Sequence, residues 1–509
     1  MSIAVFISRI FGVLRDIMMT NYFGTSYVAD AFRVAYQIPN FLRRLFGEGA
    51  LSAAMVPIYN EIGVKKGKKD QINFALNVLS ILTVFLTILC LLGIVLAPII
   101  VTILAPGFDE VTRQLVIRLA RILFPYLFLI GLSSTLISIL NSHDRFFIPG
   151  LSSAFLNISM IGCLGIFVLL NKTSTMESKI FVLSLGVITG GVLQTIINFP
   201  LLQKIGYSFR VNLNLKGEAL SAVWKRLIPG AIGIAVRQIN LVADMILASL
   251  LVSGSIAALG YGNRLMQLPM GIFGVAAGVA VLPLFSRFVA EENWKGLKDS
   301  LRFSIISLSC IMLPVTAIIA GLGKDFITLL FMRGKFDITS VNMTYSALLF
   351  YSLGIIFYSL NRLVIPVFYA NKDTKTPVKI SAFIVVINIV LNIILMHFMQ
   401  HAGLALATSI SAMIQFFILS RMLKKKVPLI EFPKIWRAIS KITFLSLMIF
   451  AGLMFANKIF IPANNVEMLI KTLSLSLVSI LFFLLFSQIL KIEYSKEIRK
   501  NICRKFQKK

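Results

Sequence analysis

Apolar runs of about twenty residues or more alternate with short polar stretches from the first residues to about residue 490. The runs 74–105, 147–170 and 472–490 contain no charged residue at all. About 20 apolar residues in a row span the hydrocarbon core of a bilayer as an α-helix. A helix satisfies every backbone N–H and C=O within the segment, which a lipid-exposed loop cannot do. The pattern predicts an all-α polytopic membrane protein with fourteen transmembrane helices, over 2–23, 27–59, 74–105, 115–140, 147–170, 180–202, 227–251, 257–286, 303–321, 341–368, 378–396, 402–420, 442–457 and 472–490. Several runs exceed the bilayer thickness and are expected to tilt or to project into water.

Composition agrees with the pattern. The 509-residue chain is 58% hydrophobic, with a mean hydropathy of +0.88. In a soluble protein, a net charge of +29 would point to nucleic acid. Here no nucleic-acid partner is expected, because Lys and Arg concentrate in loops on one side of a membrane. Cys90, Cys163, Cys310 and Cys503 show neither pairing nor metal-ligand spacing, so core packing is the expectation for the three in apolar runs. The N-terminus lacks a basic n-region and a small-residue cleavage site and does not read as a signal peptide.

Loop charge sets the orientation. Loops after even-numbered spans include "KKGKK" (65–69), "RMLKKKVPLIEFPKIWRAISK" (421–441) and the tail from residue 491. With Lys379 counted in the loop it borders, these loops hold 32 Lys plus Arg, against 8 in the loops after odd-numbered spans. The positive-inside rule places the even loops and both termini in the cytoplasm. The localisation expected is the cytoplasmic (inner) membrane of a bacterium. The basic tail, 491–509, is either a topology determinant or a contact for anionic headgroups.

A repeat at a spacing of 228 residues divides the chain: Arg9 and Asp16 recur as Arg237 and Asp244, Phe108-Asp109 as Phe336-Asp337, and Ser153-Ala154-Phe155 as Ser381-Ala382-Phe383. The unit contains six spans. An even number preserves orientation, so two parallel six-helix lobes are expected around a central cavity. The organisation read is an N-lobe over 1–204, a linker over 205–226, a C-lobe over 227–424, two extra C-terminal helices within 425–490, and the tail.

Ten basic residues lie within spans, and all are arginine: Arg9, Arg15, Arg33, Arg43, Arg44, Arg118, Arg121, Arg237, Arg264 and Arg362. Only Asp16, Asp30, Glu48 and Asp244 oppose them there. A charge at a bilayer centre costs about 2.5–3.5 kcal/mol on insertion scales, which makes it a mark of function. Guanidinium matches phosphate oxygens bidentately, whereas lysine is a point charge. Arg9, Arg15, Arg43 and Arg264 therefore read as cavity ligands for a phosphate or diphosphate. Arg44 and Glu48 stand four residues apart, where side chains meet on one helix face. Arg118, Arg121 and Arg362 read as snorkelling residues near helix ends, and Arg33 is open between cavity and neighbouring helix.

The stretches "SRIFGVLRD", "DAFRVAYQIPNFLRRLFGEGALSAAMVPIY", "APGF", "LNISMIG" and "NRLMQLPMGIFGVA" resemble the MurJ (MviN) lipid II flippases of the multidrug/oligosaccharidyl-lipid/polysaccharide exporter superfamily. The resemblance covers nearly the whole chain. It implies a flippase opening alternately to the two sides, with undecaprenyl-diphosphate-linked disaccharide-pentapeptide as cargo and membrane lipids and other cell-wall synthesis proteins as neighbours. It places the family's functional arginines at Arg9, Arg15, Arg43 and Arg264, its cavity acid at Asp30, and a further acid at Glu48. It gives the last two spans a groove for the polyprenyl tail. The chain departs from some relatives in having Asn263 and Gln267 around Arg264 and Gln37 in span 2. The alternatives are a flippase for another polyprenyl-diphosphate oligosaccharide, a cation-coupled drug antiporter of the same fold, and a membrane scaffold. Ten arginines against four acids weigh against the cationic drug, and a scaffold has no use for buried charge.

No cofactor is expected, with one open case, a coupling ion. Asp244, Asn388, Asn392 and Thr408 supply carboxylate, amide and hydroxyl oxygens suited to a hard cation such as Na+. The bland alternative is interhelical hydrogen bonding, with Asp244 paired to Arg237 seven residues earlier.

Overall fold

The computed structural model describes residues 2–46, 50–208, 210–214, 218–427 and 432–492. The side chains at 229–237 and at several helix ends lie outside that description. Every regular element among the described residues is helical. In order they are α1 (Ser2–Phe23), α2 (Tyr27–Phe46), α3 (Ala50–Lys66), α4 (Lys68–Leu104), α5 (Glu110–Ser142), α6 (Phe147–Leu170), α7 (Met176–Ile196), α8 (Phe199–Ile205), α9 (Glu218–Ser249), α10 (Ser255–Pro269), α11 (Val275–Ala290), α12 (Trp294–Phe331), α13 (Ile338–Ala370), α14 (Lys375–Lys426), α15 (Phe432–Ile459) and α16 (Asn465–Ile489). Among the described residues, ten helices are long and apolar enough to cross a membrane, so the protein is a multi-pass membrane protein.

Four of the expected spans map onto the described helices as follows. The run 27–59 is described as α2, which carries Pro39, and as α3 from Ala50. Proline removes one helical hydrogen bond, and residues 47–49 are not described. Spans 11 and 12 fall inside α14, which is broken at Gln400 with φ 52° and ψ −134°. The span 257–286 comprises α10, a π-helical turn over Met270–Gly274, and α11. Such wide turns concentrate at functional sites.

The chain forms two compact units, Met1–Ala257 with Arg333–Phe336, and Ala258–Met332 with Asp337–Lys509. In the first, α2 packs on α5, α4 on α5, α1 on α6, α6 on α7, and α9 on α3. Leu51, Met55, Tyr59, Leu79, Leu82, Leu140, Val223 and Leu227 share its apolar core. In the second, α13 packs on α12 and α14, and α15 and α16 on α12. There Ile306, Leu322, Leu445, Leu453 and Phe483 bury one another. Lys471 of α16 pairs with Asp325 of α12 at 2.9 Å, and Asn457 of α15 donates to the Gly321 carbonyl at 2.8 Å.

The outward faces remain apolar. Along α4, Val84, Ile88, Leu91, Val95 and Ile99 are exposed. Their spacing of four and three residues keeps them on one helix face. An uninterrupted apolar stripe of this length belongs against lipid.

Candidate functional site

Two of the charged residues of α1, Arg15 and Asp16, are paired with each other. Arg15 donates through Nη2 to Asp16 Oδ1 at 2.7 Å and through Nη1 to Asn157 Oδ1 of α6 at 3.0 Å. Asn157 in turn donates to the Ser153 carbonyl at 3.1 Å, and the Ser8 and Ser153 hydroxyls lie 2.7 Å apart. Asp16 is buried. A buried charge is tolerated when it is paired and its remaining valences are hydrogen-bonded. In this conformation Arg15 braces α1 to α6. The sequence reading missed Asn157 as its partner; the available signal was an amide inside an otherwise apolar run.

On α2, Arg43 Nε donates to Asn40 Oδ1 at 3.0 Å, and Asn40 Nδ2 donates to the Tyr36 carbonyl at 2.8 Å. The chain Tyr36–Asn40–Arg43 follows the i, i+4, i+7 face of α2, the helix that carries Pro39. Arg44 Nη1 reaches Gln238 Oε1 of α9 at 3.3 Å. Arg43 and Arg44 are half-buried, Arg9 is exposed on α1, and Arg264 is exposed on α10 in the second unit. Glu48 and the Arg237 side chain lie outside the described residues.

Asp30 sits elsewhere than against these arginines. Only 2% exposed, its Oδ2 accepts from Gly254 N at 2.6 Å and its Oδ1 from Ala257 N at 2.7 Å. Those N–H groups open α10, where the first turn has no intrahelical acceptors and the helix dipole favours a negative charge. Asp30 caps the helix that carries Arg264.

Four turns close around this cap, each at a glycine. A Cβ on Gly254 would run into the Thr25 carbonyl, one on Gly24 into the Lys335 carbonyl, one on Gly334 into the Asn21 carbonyl, and one on Gly107 into the Ser249 carbonyl. Gly24, Gly254 and Gly334 have φ of +55°, +89° and +55°, a region that glycine enters without steric cost. Lys335 N also donates to the Asn21 carbonyl at 2.9 Å. The four turns follow α1, α4, α9 and α12, the loops after odd-numbered spans.

The candidate sodium ligands divide between the units. Asp244 Oδ2 accepts from Asn240 Nδ2 at 3.2 Å in the first. In the second, Asn388 Oδ1 accepts from Asn392 Nδ2 at 3.1 Å, Asn388 Nδ2 donates to Ser411 at 3.2 Å, and the Thr408 hydroxyl donates to the Leu404 carbonyl at 2.8 Å. No cluster of three or more His, Cys, Asp or Glu suited to a metal occurs among the described residues.

This helical architecture is similar to an inward-facing multidrug resistance MATE family transporter of the MOP superfamily, with a TM-score of 0.66 over 83% of this chain and 94% of that one at 15% identity. The likeness shows the fold, a polytopic helical one. The family described as lipid II flippase MurJ matches residues 19–463, and the chain belongs to that family. It is 35% identical over 478 residues to the probable lipid II flippase MurJ of Buchnera aphidicola subsp. Baizongia pistaciae, covering 93% of this chain and 92% of that protein. It also matches a structure of lipid II flippase MurJ in an inward closed conformation, with a TM-score of 0.80, 28% identity, and coverage of 96% of this chain and 99% of that one.

Proposed function

We propose that this protein carries lipid II, the undecaprenyl-diphosphate-linked peptidoglycan precursor, from the cytoplasmic to the outer leaflet by alternating access. The observation that carries this reading is membership of the lipid II flippase family over residues 19–463. The protein is thus a transporter for peptidoglycan synthesis, not an enzyme. In this reading the chain crosses the membrane fourteen times as two parallel six-helix lobes and two further helices, with both termini cytoplasmic. Arg9, Arg43, Arg44 and Arg264 take the diphosphate, for which bidentate guanidinium is the fitting donor. Glu48 tunes the charge of that cluster. The α15–α16 pair guides the polyprenyl tail. Asp30 and the four glycine turns form the outer seal of the state described here, and Arg15 braces α1 until cargo enters. Sodium at Asp244, Asn388, Asn392 and Thr408 resets the empty carrier.

Purified protein in proteoliposomes, with lipid II loaded in one leaflet, tests the reading. Translocation of lipid II with little transport of a polyprenyl-diphosphate O-antigen unit is the expected result. Transport of the O-antigen unit alone would reassign the cargo, and transport of neither would overturn the reading.

A further inference from the structure

Residues 210–214 read Arg-Val-Asn-Leu-Asn, a strict polar–apolar alternation in an otherwise helical chain. In an extended segment, alternate side chains point to opposite faces. The backbone of the segment is held by α4. Asn214 N donates to Asn77 Oδ1 at 2.9 Å, and the Asn214 carbonyl accepts from Asn77 Nδ2 at 2.9 Å. Asn212 N donates to Ser80 Oγ at 3.0 Å. The buried Asn77 amide thus pairs with the segment's backbone as a neighbouring strand would. The two apolar side chains of the segment stand open, with Val211 83% and Leu213 52% exposed.

Where the segment lies follows from α4. Asn73, Asn77 and Ser80 continue, at spacings of four and three, into the exposed apolar stripe Val84, Ile88, Leu91, Val95 and Ile99. The segment therefore lies on the lipid-facing side of α4. Its depth can be counted from the other end of the helix. About 20 residues back from Ile103 fill a hydrocarbon core of about 30 Å at about 1.5 Å per residue, and they end near Val84. Asn77 and Ser80 then sit about 6–10 Å beyond the core, in the headgroup zone. The start of α9 docks at the same level, with Leu220, Val223, Trp224 and Leu227 against Val78, Ile81, Leu82 and Phe85 of α4. Its Lys225 and Arg226 are exposed there, as is Arg210.

We propose that residues 210–214 are an interfacial strap: Val211 and Leu213 enter the headgroup–acyl boundary beside α4, and Arg210, Lys225 and Arg226 take anionic phospholipid headgroups. The partner is the lipid surface of the Lys- and Arg-rich side, and the inference stands apart from the identity of the cargo.

The test uses the full chain without its own cysteines, carrying an environment-sensitive fluorophore at V211C, or at K66C as an exposed control. It is reconstituted in vesicles of phosphatidylethanolamine and phosphatidylglycerol. Lipids brominated close to the headgroup should quench the probe at 211 more than at 66, and aqueous iodide should do the reverse. N77A, which frees the strap, should bring position 211 to the control values. Replacing phosphatidylglycerol by phosphatidylcholine should red-shift the probe at 211, and the triple variant R210Q/K225Q/R226Q should lose that dependence. Iodide quenching at 211 without bromolipid quenching would overturn the strap, whether the face meets water or another protein. Emission at 211 independent of lipid charge would overturn the headgroup contact.

Discussion

Asp30 and Ala257 lie 227 positions apart in the chain, and the carboxylate of one accepts the backbone N–H of the other at 2.7 Å. The second carboxylate oxygen takes Gly254 N, so both oxygens are committed. Asp30→Asn replaces one acceptor with an NH2 facing a donor. Leaving a buried donor unmatched costs about 1–3 kcal/mol. The variant should unfold at a lower temperature than the parent and translocate lipid II more slowly. An unchanged midpoint with full translocation would mean that the cap contributes neither to stability nor to transport.

The turn glycines contrast with two helical glycines that face open space. At Gly24 and Gly254 an added methyl group meets backbone, whereas at Gly162 and Gly452 it meets nothing within 4 Å. Gly162 and Gly452 are helical, where alanine is favoured by about 0.5–1 kcal/mol. Gly24→Ala and Gly254→Ala should abolish translocation, while Gly162→Ala and Gly452→Ala should leave it intact and raise the unfolding temperature. Complementation of a flippase-depleted strain reads the first pair, and a thermal melt the second.

Arg43 separates fork from charge. Lysine keeps the charge but loses both the bidentate geometry and the Nε donor that reaches Asn40 at 3.0 Å. Arg43→Lys should express normally and fail to translocate. Wild-type complementation by the lysine variant would mean that positive charge alone suffices.

Sodium coupling has a thermal signature. A ligand bound only by the folded protein raises its unfolding temperature with concentration. Sodium should therefore raise the midpoint of the parent relative to choline, and Asp244→Ala should lose that increment. An increment preserved in Asp244→Ala would move any sodium site elsewhere and leave the membrane potential to drive the charged carrier.

The linker before the strap carries a titratable contact. The Tyr59 hydroxyl lies 2.7 Å from both His143 Nε2 and the Tyr207 hydroxyl. Burial and, secondarily, the Lys68 charge hold the His143 imidazole below its usual value, against a weaker opposing effect of Asp144. The folded state thus prefers the neutral ring. Its contribution is present above the ordinary histidine range and is lost as pH falls through that range toward the depressed folded value. Amide protection over residues 205–214, taken relative to the intrinsic exchange rate at each pH, should fall as the pH drops from about 7.5 to 5.5. His143→Gln, which keeps an acceptor but does not titrate, should flatten that dependence; an equal response in both would place the proton elsewhere.

Sequence alone determined that this is an all-helical membrane protein, and it singled out the arginines in its spans. Those are local properties: the length of an apolar run and the presence of a charge within it are complete within some twenty neighbouring residues. The repeat at 228 and the motif "DAFRVAYQIPNFLRRLFGEGALSAAMVPIY" are legible for the same reason, since they compare one stretch with another. Partnership is not local. That Asp30 caps α10, that Arg15 turns to Asn157, that Asn77 grips residue 214, and that glycine is required at 24, 107, 254 and 334 were decided only by the tertiary structure. Each depends on backbone brought together from segments more than a hundred residues apart. A hydrogen bond is won or lost over a few tenths of an ångström, which periodicity along a single chain does not encode. The alternation in Arg-Val-Asn-Leu-Asn was visible from the start, but without α4 behind it an extended surface loop and a strap beside lipid read the same.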